Sequence, residues 1–231
     1  MNSSPSIPLP LANGHSAVPS AWEEAYLRFE SPPEEIRKFQ RRLVRLGAAH
    51  WRKDSEIVEL FCGRGNGLRA LHWLGFERIE GVDLSPCLAS RYNGPGKIFV
   101  GDCRNLPLPD GSRDILIVQG GLHHLPRLPE DLDRTLSEAA RVLRPDGRFV
   151  VVEPWLTPFL RFVHLVSKRR LARRLSSKID ALATMIENEK TTYEQWLNNS
   201  PLVLRSLHEH FNPEIQTVGW GKLNFFGRKR G

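Results

Sequence analysis

The clearest structural signal in the chain is the run Glu56-Ile57-Val58-Glu59-Leu60-Phe61-Cys62-Gly63-Arg64-Gly65-Asn66-Gly67-Leu68. An apolar segment ends at a turn with glycine at three alternate positions, and leucines with helical spacing follow at once. The pattern predicts a strand, a tight turn and a helix. Glycine suits this turn because it adopts positive φ and lets the backbone approach a ligand, while the helix start offers free N–H groups.

The glycine spacing separates two kinds of nucleotide-binding turn. The dinucleotide fingerprint G-x-G-x-x-G is not matched, because Leu68 stands at the third glycine position and Gly67 comes one residue early. A nicotinamide or flavin dehydrogenase is therefore disfavoured. As an alternative without function, a glycine-rich turn after a strand is also a common structural turn.

At these residues the sequence resembles the class I S-adenosylmethionine-dependent methyltransferases. Their first motif has an acidic residue followed by alternate glycines after strand 1, and Glu59, Gly63 and Gly65 match it. The resemblance implies that the two glycines let the methionine portion of the cofactor pass and that Glu59 supports its amino end. Phe61 departs from the motif, because it stands where the family most often has its first glycine.

Two further acids end the next two predicted strands. Asp83 follows Ile79 to Val82, and Asp102 follows Ile98 to Val100. A carboxylate is acceptor-only and can hold both hydroxyls of a ribose. The resemblance assigns the ribose to Asp83 and the adenine amino group to Asp102, with Leu84 and Cys103 beside them. The spacing of Asp83 also fits a dinucleotide fold, and as a purely structural alternative it caps the helix that begins at Pro86.

The most specific match follows a fourth, continuously apolar strand, Ile115 to Val118. Gln119-Gly120-Gly121-Leu122-His123-His124-Leu125, a helix, and Arg141-Val142-Leu143-Arg144-Pro145-Asp146-Gly147-Arg148-Phe149 closely resemble the small-molecule (type 11-like) branch of these enzymes. The helix face is predicted to extend through Leu143, with a fifth strand from Phe149 to Glu153. Residues Gly63, Asp83, Asp102 and Gln119 are expected to converge at the carboxyl ends of the strands.

These repeated units predict an α/β fold. We expect a doubly wound, Rossmann-like, mostly parallel seven-stranded sheet whose last strand is antiparallel, with helices on both faces and a helical insertion before the final hairpin. Residues 1–20 are predicted to be a disordered leader, 21–53 N-terminal helices, and 54–231 the methyltransferase domain, with 154–200 as a substrate-side insertion. In 21–53, Tyr26 and Phe29 are interpreted as lid or core residues, and in the insertion Tyr193 and Trp196 as candidate pocket-wall residues.

The histidine pair is the weak candidate for catalysis. A histidine just past a strand end can act as a general base near neutral pH, bind a metal, or stack beneath a substrate. Adjacent histidines are expected to point in different directions, so no metal site is predicted at His123 and His124. A structural or substrate-shaping role is favoured over catalysis.

Length and composition set the remaining limits. The 231 residues are 40% hydrophobic and 26% charged, and no run approaches the roughly 18 apolar residues of a membrane span. The three cysteines fit neither a disulfide framework nor a zinc site, and the N-terminus lacks the features of a secretory signal, so a cytoplasmic setting is expected. The net charge of +7 suits an anionic partner.

Segment 156–178 combines an apolar helical stripe with a basic run from Lys168 to Lys178. Such a segment can rest peripherally on an anionic membrane or hold an anionic acceptor, and the alternative is a solvated helix face. The sequence says nothing about oligomeric state.

The predicted function is methyl transfer from S-adenosylmethionine to a small or lipid-like acceptor, at an oxygen, nitrogen or carbon. One alternative is an RNA methyltransferase, which is disfavoured because the segment after strand 4 has neither an Asn/Asp-Pro-Pro-aromatic motif nor a catalytic cysteine. A second is a non-enzymatic binding module of the same fold, which Phe61 favours and the retained acids Asp83 and Asp102 oppose.

Overall fold

Seven strands form a single sheet in a computed structural model that describes residues 21–231. The strands are β1 (Ile57–Leu60), β2 (Ile79–Asp83), β3 (Lys97–Val100), β4 (Arg113–Gln119), β5 (Leu143–Pro154), β6 (Phe211–Gly219) and β7 (Lys222–Lys229). Their order across the sheet is β3-β2-β1-β4-β5-β7-β6. Strands β1 to β5 pair in parallel, and β7 pairs antiparallel with both β5 and β6. The predicted fold class is confirmed.

Ten α-helices accompany the sheet within the described residues. They are α1 (Ala21–Phe29), α2 (Pro32–Arg45), α3 (Asn66–Trp73), α4 (Pro86–Ala89), α5 (Glu130–Val142), α6 (Pro158–Ser167), α7 (Arg170–Leu175), α8 (Ser177–Asn188), α9 (Lys190–Asn198) and α10 (Ser200–His210). Leu143 was predicted on the α5 face, but it begins β5 because the helix ends at Val142. The segment 154–200 holds α6 to α9, and α1 packs against α8.

Both faces of the sheet are covered, which explains the continuous apolar strands. In β4, Leu116 and Val118 join the core that includes α5, α9 and α10, whereas Ile115 and Ile117 join the core that includes α2 and α3. This alternation follows from the two-residue period of side chains in a strand. The parallel strands therefore present their carboxyl ends, and the loops after them, at one edge of a rigid platform.

Helix α2 shows how local sequence fixes an element. The Glu34 carboxylate accepts hydrogen bonds from the backbone N–H of Ser31 at 3.0 Å and from its hydroxyl at 2.8 Å. This capping by Glu34, with Pro32 in the first turn, defines the start of the helix. The apolar stripe of this helix, which includes Ile36, Phe39 and Leu43, is buried.

Two predictions concern the chain at large. The predicted leader, residues 1–20, lies outside the described residues. Among the helices of residues 21–231, none has the length and apolar character needed to cross a lipid bilayer. All three cysteines are buried and unpaired.

Candidate functional site

A cleft of about 580 Å³ opens beside the carboxyl ends of β1, β2, β3 and β4. Six of the predicted cofactor residues line it: Phe61, Gly63, Asp83, Leu84, Asp102 and Cys103. Its volume is in the usual range for sites that bind a small molecule or cofactor. The position is the one where doubly wound sheets bind ligands.

The turn after β1 has the conformation that its glycines suggest. Gly63 has φ +54° and Gly65 has φ +75°, both in the left-handed region. Phe61 also has a positive φ, 55°, so the residue that replaces the family glycine keeps a glycine-like backbone. A Cβ on Gly121 would overlap the Phe61 ring, so the glycine in the loop after β4 leaves the space that this side chain occupies.

Asp83 ties this turn to the end of β2. Its Oδ2 accepts the backbone N–H of Gly63 at 2.7 Å, and its Oδ1 accepts that of Ser85 at 2.8 Å. Burial raises the pKa of Asp83, while these two hydrogen bonds oppose the rise. Because each carboxylate oxygen can accept more than one hydrogen bond, the side chain retains acceptor capacity toward the cleft that it lines.

Asp102 lies in the cleft wall in an ion pair that the sequence did not indicate. The Arg104 guanidinium donates to Asp102 at 2.7 Å and to Asp131 at 3.0 Å, and this pairing holds the pKa of Asp102 below its usual value. Neighbouring Cys103 is buried, and burial raises the pKa of its thiol to about 12. The thiol is therefore protonated and unreactive at neutral pH.

Three predicted cofactor residues, Glu59, Gly65 and Gln119, do not line the cleft. Gln119 Nε2 donates to Glu59 Oε1 at 3.4 Å, so these two side chains lie together beneath the turn. Glu59 Oε2 and Gln119 Oε1 are buried without a hydrogen-bond partner among residues 21–231. Burial raises the pKa of Glu59 to about 8. The third glycine of the turn, Gly67, is needed because a Cβ there would overlap this carboxylate.

His123 is held from behind by Glu153, a buried carboxylate near the end of β5. Glu153 Oε1 accepts the backbone N–H groups of Gly121 at 2.7 Å and Leu122 at 2.8 Å, and Oε2 lies 2.7 Å from His123 Nδ1. Burial and the neighbouring His124 lower the pKa of His123. Burial opposes ionisation of Glu153, but His123 and the two N–H groups lower its pKa overall. Neutral His123 therefore donates from Nδ1 to an ionised Glu153.

His124 pairs instead with Glu189, between α8 and α9. Its Nδ1 lies 2.6 Å from Glu189 Oε1, and both residues line the cleft. Burial alone would lower the pKa of His124, but the hydrogen bond to Glu189 and the charge of this carboxylate raise it.

The expectation that the two histidines point in different directions is wrong. Their ring centroids are 4.1 Å apart, and His123 Nε2 lies 3.9 Å from Glu189 Oε2. One ligand atom from each of His123, His124 and Glu189 lies within 4.8 Å of the other two, a spacing that a divalent cation could bridge.

Helix α1 forms the opposite wall of the cleft. Trp22 meets His124 edge-on with ring centroids 5.2 Å apart, and it stacks on Tyr26 at 5.4 Å. Tyr26 thus lies where a lid residue was expected, whereas Phe29 is not among the residues that line the cleft.

Glu35 fastens this wall to the glycine-rich turn. It accepts hydrogen bonds from the Tyr26 hydroxyl at 2.9 Å, from the Arg64 guanidinium at 2.7 Å and from the Asn66 amide at 2.7 Å. Glu35 is 4% exposed, so these bonds are shielded from water.

Tyr193 and Trp196, suggested as pocket-wall residues, support the site from behind. Trp196 is fully buried in the core, where its Nε1 donates to the Pro154 carbonyl at 2.8 Å. The Tyr193 hydroxyl lies 3.1 Å from His164 Nε2, and its ring meets His123 edge-on at 5.6 Å.

Several residues of the site were not predicted from the sequence. Glu153 could have been found, since like Asp83 and Asp102 it is a lone acid closing an apolar strand. Glu189, Arg104 and Trp22 carry no such signal, because tertiary packing alone brings them to the cleft.

Comparison with known proteins decides the family. Residues 58–151 match the family described as a methyltransferase domain, over the strands that build the cleft. Residues 58–151 therefore belong to this methyltransferase family. The class I, small-molecule family predicted from the sequence is confirmed for this part of the chain.

One similar protein matches this chain in sequence and another in fold. A demethylmenaquinone methyltransferase of Symbiobacterium thermophilum is 31% identical over 137 residues, covering 54% of this chain and 52% of the relative. A Pyrococcus horikoshii protein of known structure has a TM-score of 0.66 at 19% identity, covering 91% of this chain and 99% of that one.

A third similar protein is the geranyl diphosphate C-methyltransferase of Streptomyces coelicolor, crystallised with Mg²⁺, geranyl-S-thiolodiphosphate and S-adenosylhomocysteine. It has a TM-score of 0.59 at 15% identity, covering 84% of this chain and 76% of that one. The structural likenesses show the fold. The chain spans about half the length of the curated relatives that it matches.

Proposed function

We propose that this protein transfers a methyl group from S-adenosylmethionine to a small, lipid-like acceptor. The observation that carries the proposal is the placement of Asp83: a carboxylate that closes β2, braces Gly63 of the glycine-rich turn and faces a ligand-sized cleft. An acceptor-only group in this position suits the two hydroxyls of a ribose. Asp102, with Cys103 beside it, is at the next strand end, where we assign the adenine.

The remaining cofactor assignments rest on unpaired atoms. Glu59 Oε2 and Gln119 Oε1 are buried acceptors that lack a donor within residues 21–231, and such groups are costly unless a partner satisfies them. The ammonium group of S-adenosylmethionine is a donor of the required kind, although the two acceptors lie behind the cleft lining and the assignment requires that group to reach beneath the turn. Gly63, in the left-handed region, lines the cleft where we assign the methionine portion, while Leu84 and Phe61 supply apolar walls. Gly65, also left-handed, packs against the Tyr92 ring and keeps the turn in its conformation.

S-adenosylmethionine, when bound, would supply an electrophilic methyl group, which the acceptor atom attacks in line while the carbon–sulfur bond breaks and S-adenosylhomocysteine leaves. The chain's own residues orient the acceptor, exclude water and remove a proton. We assign that proton to His124: Nδ1 is engaged by Glu189, so Nε2 is the ring nitrogen that takes it. Glu189 then stabilises the resulting imidazolium, while Glu153 and His123 fix the loop that positions His124.

The acceptor class follows from the cleft and the relatives together. Phe61, Leu88, Leu125 and Pro126 give the cleft apolar walls, and Arg104 is already paired with two acids. This lining suits an apolar acceptor better than a polyanion such as RNA. The relative from Symbiobacterium thermophilum is named for a demethylmenaquinone, which makes a short-chain demethylated quinone the first probe. The three unpaired cysteines favour action in a reducing compartment such as the cytoplasm.

The test is calorimetric titration with S-adenosylmethionine and S-adenosylhomocysteine, with a nicotinamide dinucleotide as control. We expect micromolar binding of the first two only, and about 10- to 100-fold weaker binding to Asp83→Ala, because the charged acceptor for the ribose hydroxyls is lost. Asp146→Ala, an exposed site away from the cleft, is the matched control. Folded protein that binds neither sulfur compound would favour the non-enzymatic module, and an unaffected Asp83→Ala would remove the ribose assignment.

A further inference from the structure

Helices α6 and α7 and the turn between β6 and β7 expose a set of large apolar side chains. We define the basic-apolar face by the apolar residues Phe159, Phe162, Leu165, Leu171, Leu175 and Trp220 together with the cations Arg161, Lys168, Arg169, Arg170 and Arg174. Phe162 is 62% exposed, Leu175 78% and Trp220 82%. Exposed apolar residues grouped in this way mark interaction sites more often than chance.

The charge of this region is strongly one-sided. Residues 154–179 contain seven lysines and arginines and no aspartate or glutamate. Arg173 is paired with Asp180 and Glu187, and Lys178 is paired with Glu34. The five cations of the basic-apolar face make no ion pair with any residue of the described chain, 21–231. Their charge is therefore available to a partner.

Two of the three elements of the face, α6 and the hairpin turn, are in direct contact. The Phe159 and Trp220 rings meet edge-on with centroids 5.4 Å apart, joining α6 to the hairpin turn. Trp220 adopts φ 50° between Gly219 and Gly221, which projects it at the tip of that turn. Tryptophan and phenylalanine are the side chains that settle at a lipid headgroup boundary, with lysine and arginine beside them.

Helix α6 is anchored on its other side, so its exposed residues belong to a fixed surface. Thr157 caps its start by accepting the Leu160 N–H at 3.2 Å, and Ser167 near its end is buried. His164 reaches inward to the Tyr193 hydroxyl, and Tyr193 packs on His123 of the candidate site. The outer side of this helix and the candidate site are therefore separated by only a few side chains.

We propose that the basic-apolar face docks on an anionic lipid surface. Apolar side chains insert at the headgroup boundary, and the five unpaired cations meet lipid phosphates, each adding to the attraction. A second copy of this chain is a poorer occupant, because it would bring the same unpaired positive charges against these. Docking here would present the cleft to acceptors dissolved in the bilayer, a consequence that rests on the proposed function.

The test is flotation of the full-length protein with vesicles of phosphatidylcholine, with and without phosphatidylglycerol. We expect binding to the anionic vesicles only. The triple variant Arg169→Gln, Arg170→Gln, Arg174→Gln should partition about 100-fold more weakly, from the loss of three cations near the surface. The variant Phe162→Ser, Leu165→Ser should partition at least about tenfold more weakly, because it removes inserted apolar groups.

The matched control is Arg37→Gln, Arg41→Gln, Arg45→Gln on the exposed side of α2, which removes the same net charge elsewhere. We expect this control to keep most of the binding, and an equal loss would show that net charge alone is responsible and overturn the proposal. Absence of vesicle binding by the unmodified protein would also overturn it. So would a protein that binds RNA as well as anionic vesicles and whose vesicle binding is unchanged in the Phe162→Ser, Leu165→Ser variant.

The calorimetric titration of S-adenosylhomocysteine is repeated on each variant. Because the face lies outside the cleft lining, we expect that affinity to stay unchanged. A variant that loses vesicle binding but still binds the cofactor shows an effect on the docking face alone. Protein that binds vesicles but not the cofactor would contradict the proposed function and leave the docking proposal standing.

Discussion

At the scale of single residues, Asp83 and Glu153 have the same structural role: each carboxylate holds a loop at the cleft by hydrogen bonds. Each closes an apolar strand and uses both carboxylate oxygens to hold a loop at the cleft, Asp83 through Gly63 and Ser85, and Glu153 through two N–H groups and His123. Hydrogen bonds to an ionised acceptor are about twice as strong as neutral ones. The loops around the candidate site are therefore held by charge as well as by packing.

We expect Glu153→Gln to destabilise the protein by about 3 kcal/mol, because a buried partner of His123 and two N–H groups is impaired. Urea unfolding measures this, with exposed Glu130→Gln as the control. The folded pKa of Glu153 is lowered, so its contribution is present above the usual carboxyl pKa and is lost as pH falls through the folded value. The difference from the unmodified protein should therefore shrink in acid, and a difference independent of pH would contradict this assignment.

The proton acceptor is tested by the pH dependence of turnover. His124 must be neutral to accept a proton, so kcat/KM should rise with pH through a pKa above the usual histidine value. His124→Asn should lower kcat by about 10²- to 10⁴-fold. Glu189→Gln should move the inflection to lower pH, because the raising interaction is gone. His72→Asn, at an exposed histidine, is the control, and a pH profile unmoved by Glu189→Gln would exclude this pair.

The site residues that could be predicted from the sequence are those that stand at a recognisable position, such as a strand end or a glycine-rich turn. Asp83 ends β2, Asp102 lies two residues after β3, and Gly63 belongs to a recognisable turn, so their approach to one cleft follows from the parallel sheet. Gln119 also stands at the end of a strand, but its side chain does not face the cleft. Because side chains alternate between the faces of a sheet, it points to Glu59 beneath the glycine-rich turn. Glu189 and Trp22 reach the cleft through contacts distant in sequence, which no local pattern records.

At the scale of elements, α1 and α2 form one wall that Glu35 joins to the turn after β1. Replacing this carboxylate with an amide puts an NH₂ donor among the donors of Tyr26, Arg64 and Asn66. We expect Glu35→Gln to cost about 3 kcal/mol in urea unfolding and to weaken S-adenosylhomocysteine binding. Glu24→Gln, exposed on α1, should stay within about 0.5 kcal/mol. Unchanged cofactor affinity in folded Glu35→Gln would show that the wall does not shape the site.

Elements differ in how far the sequence specified them. Helix α2 was predictable because Ser31, Pro32 and a regular apolar stripe all give the same answer. The bounds of α5 were overextended because Leu143 continues the helical spacing although the strand already begins there. Helices α7 and α9 are short, and neither has a side-chain hydrogen bond at its N-cap. Their positions depend on packing against other helices.

At the scale of the whole molecule, the sheet order couples ligand binding to the stability of the fold. Strand β7 lies between β5 and β6, so the last segment of the chain completes the core behind Glu153. The cleft draws residues from α1, from the ends of four strands and from the α8–α9 junction. A ligand in this cleft contacts segments that are far apart in sequence, and its binding energy adds to the stability of the entire fold.

We therefore expect S-adenosylhomocysteine at about 100 times its Kd to stabilise the protein by about 2.7 kcal/mol. For a chain of this size that corresponds to a rise in Tm of roughly 5–10 °C. A nicotinamide dinucleotide should leave Tm unchanged, and Asp83→Ala at the same ligand concentration, binding about 10- to 100-fold more weakly, should lose about half or more of the shift. Differential scanning calorimetry measures all three. A shift that Asp83→Ala retains in full would place the ligand elsewhere on the molecule, because binding to the cleft cannot stabilise the fold without contact with this strand end.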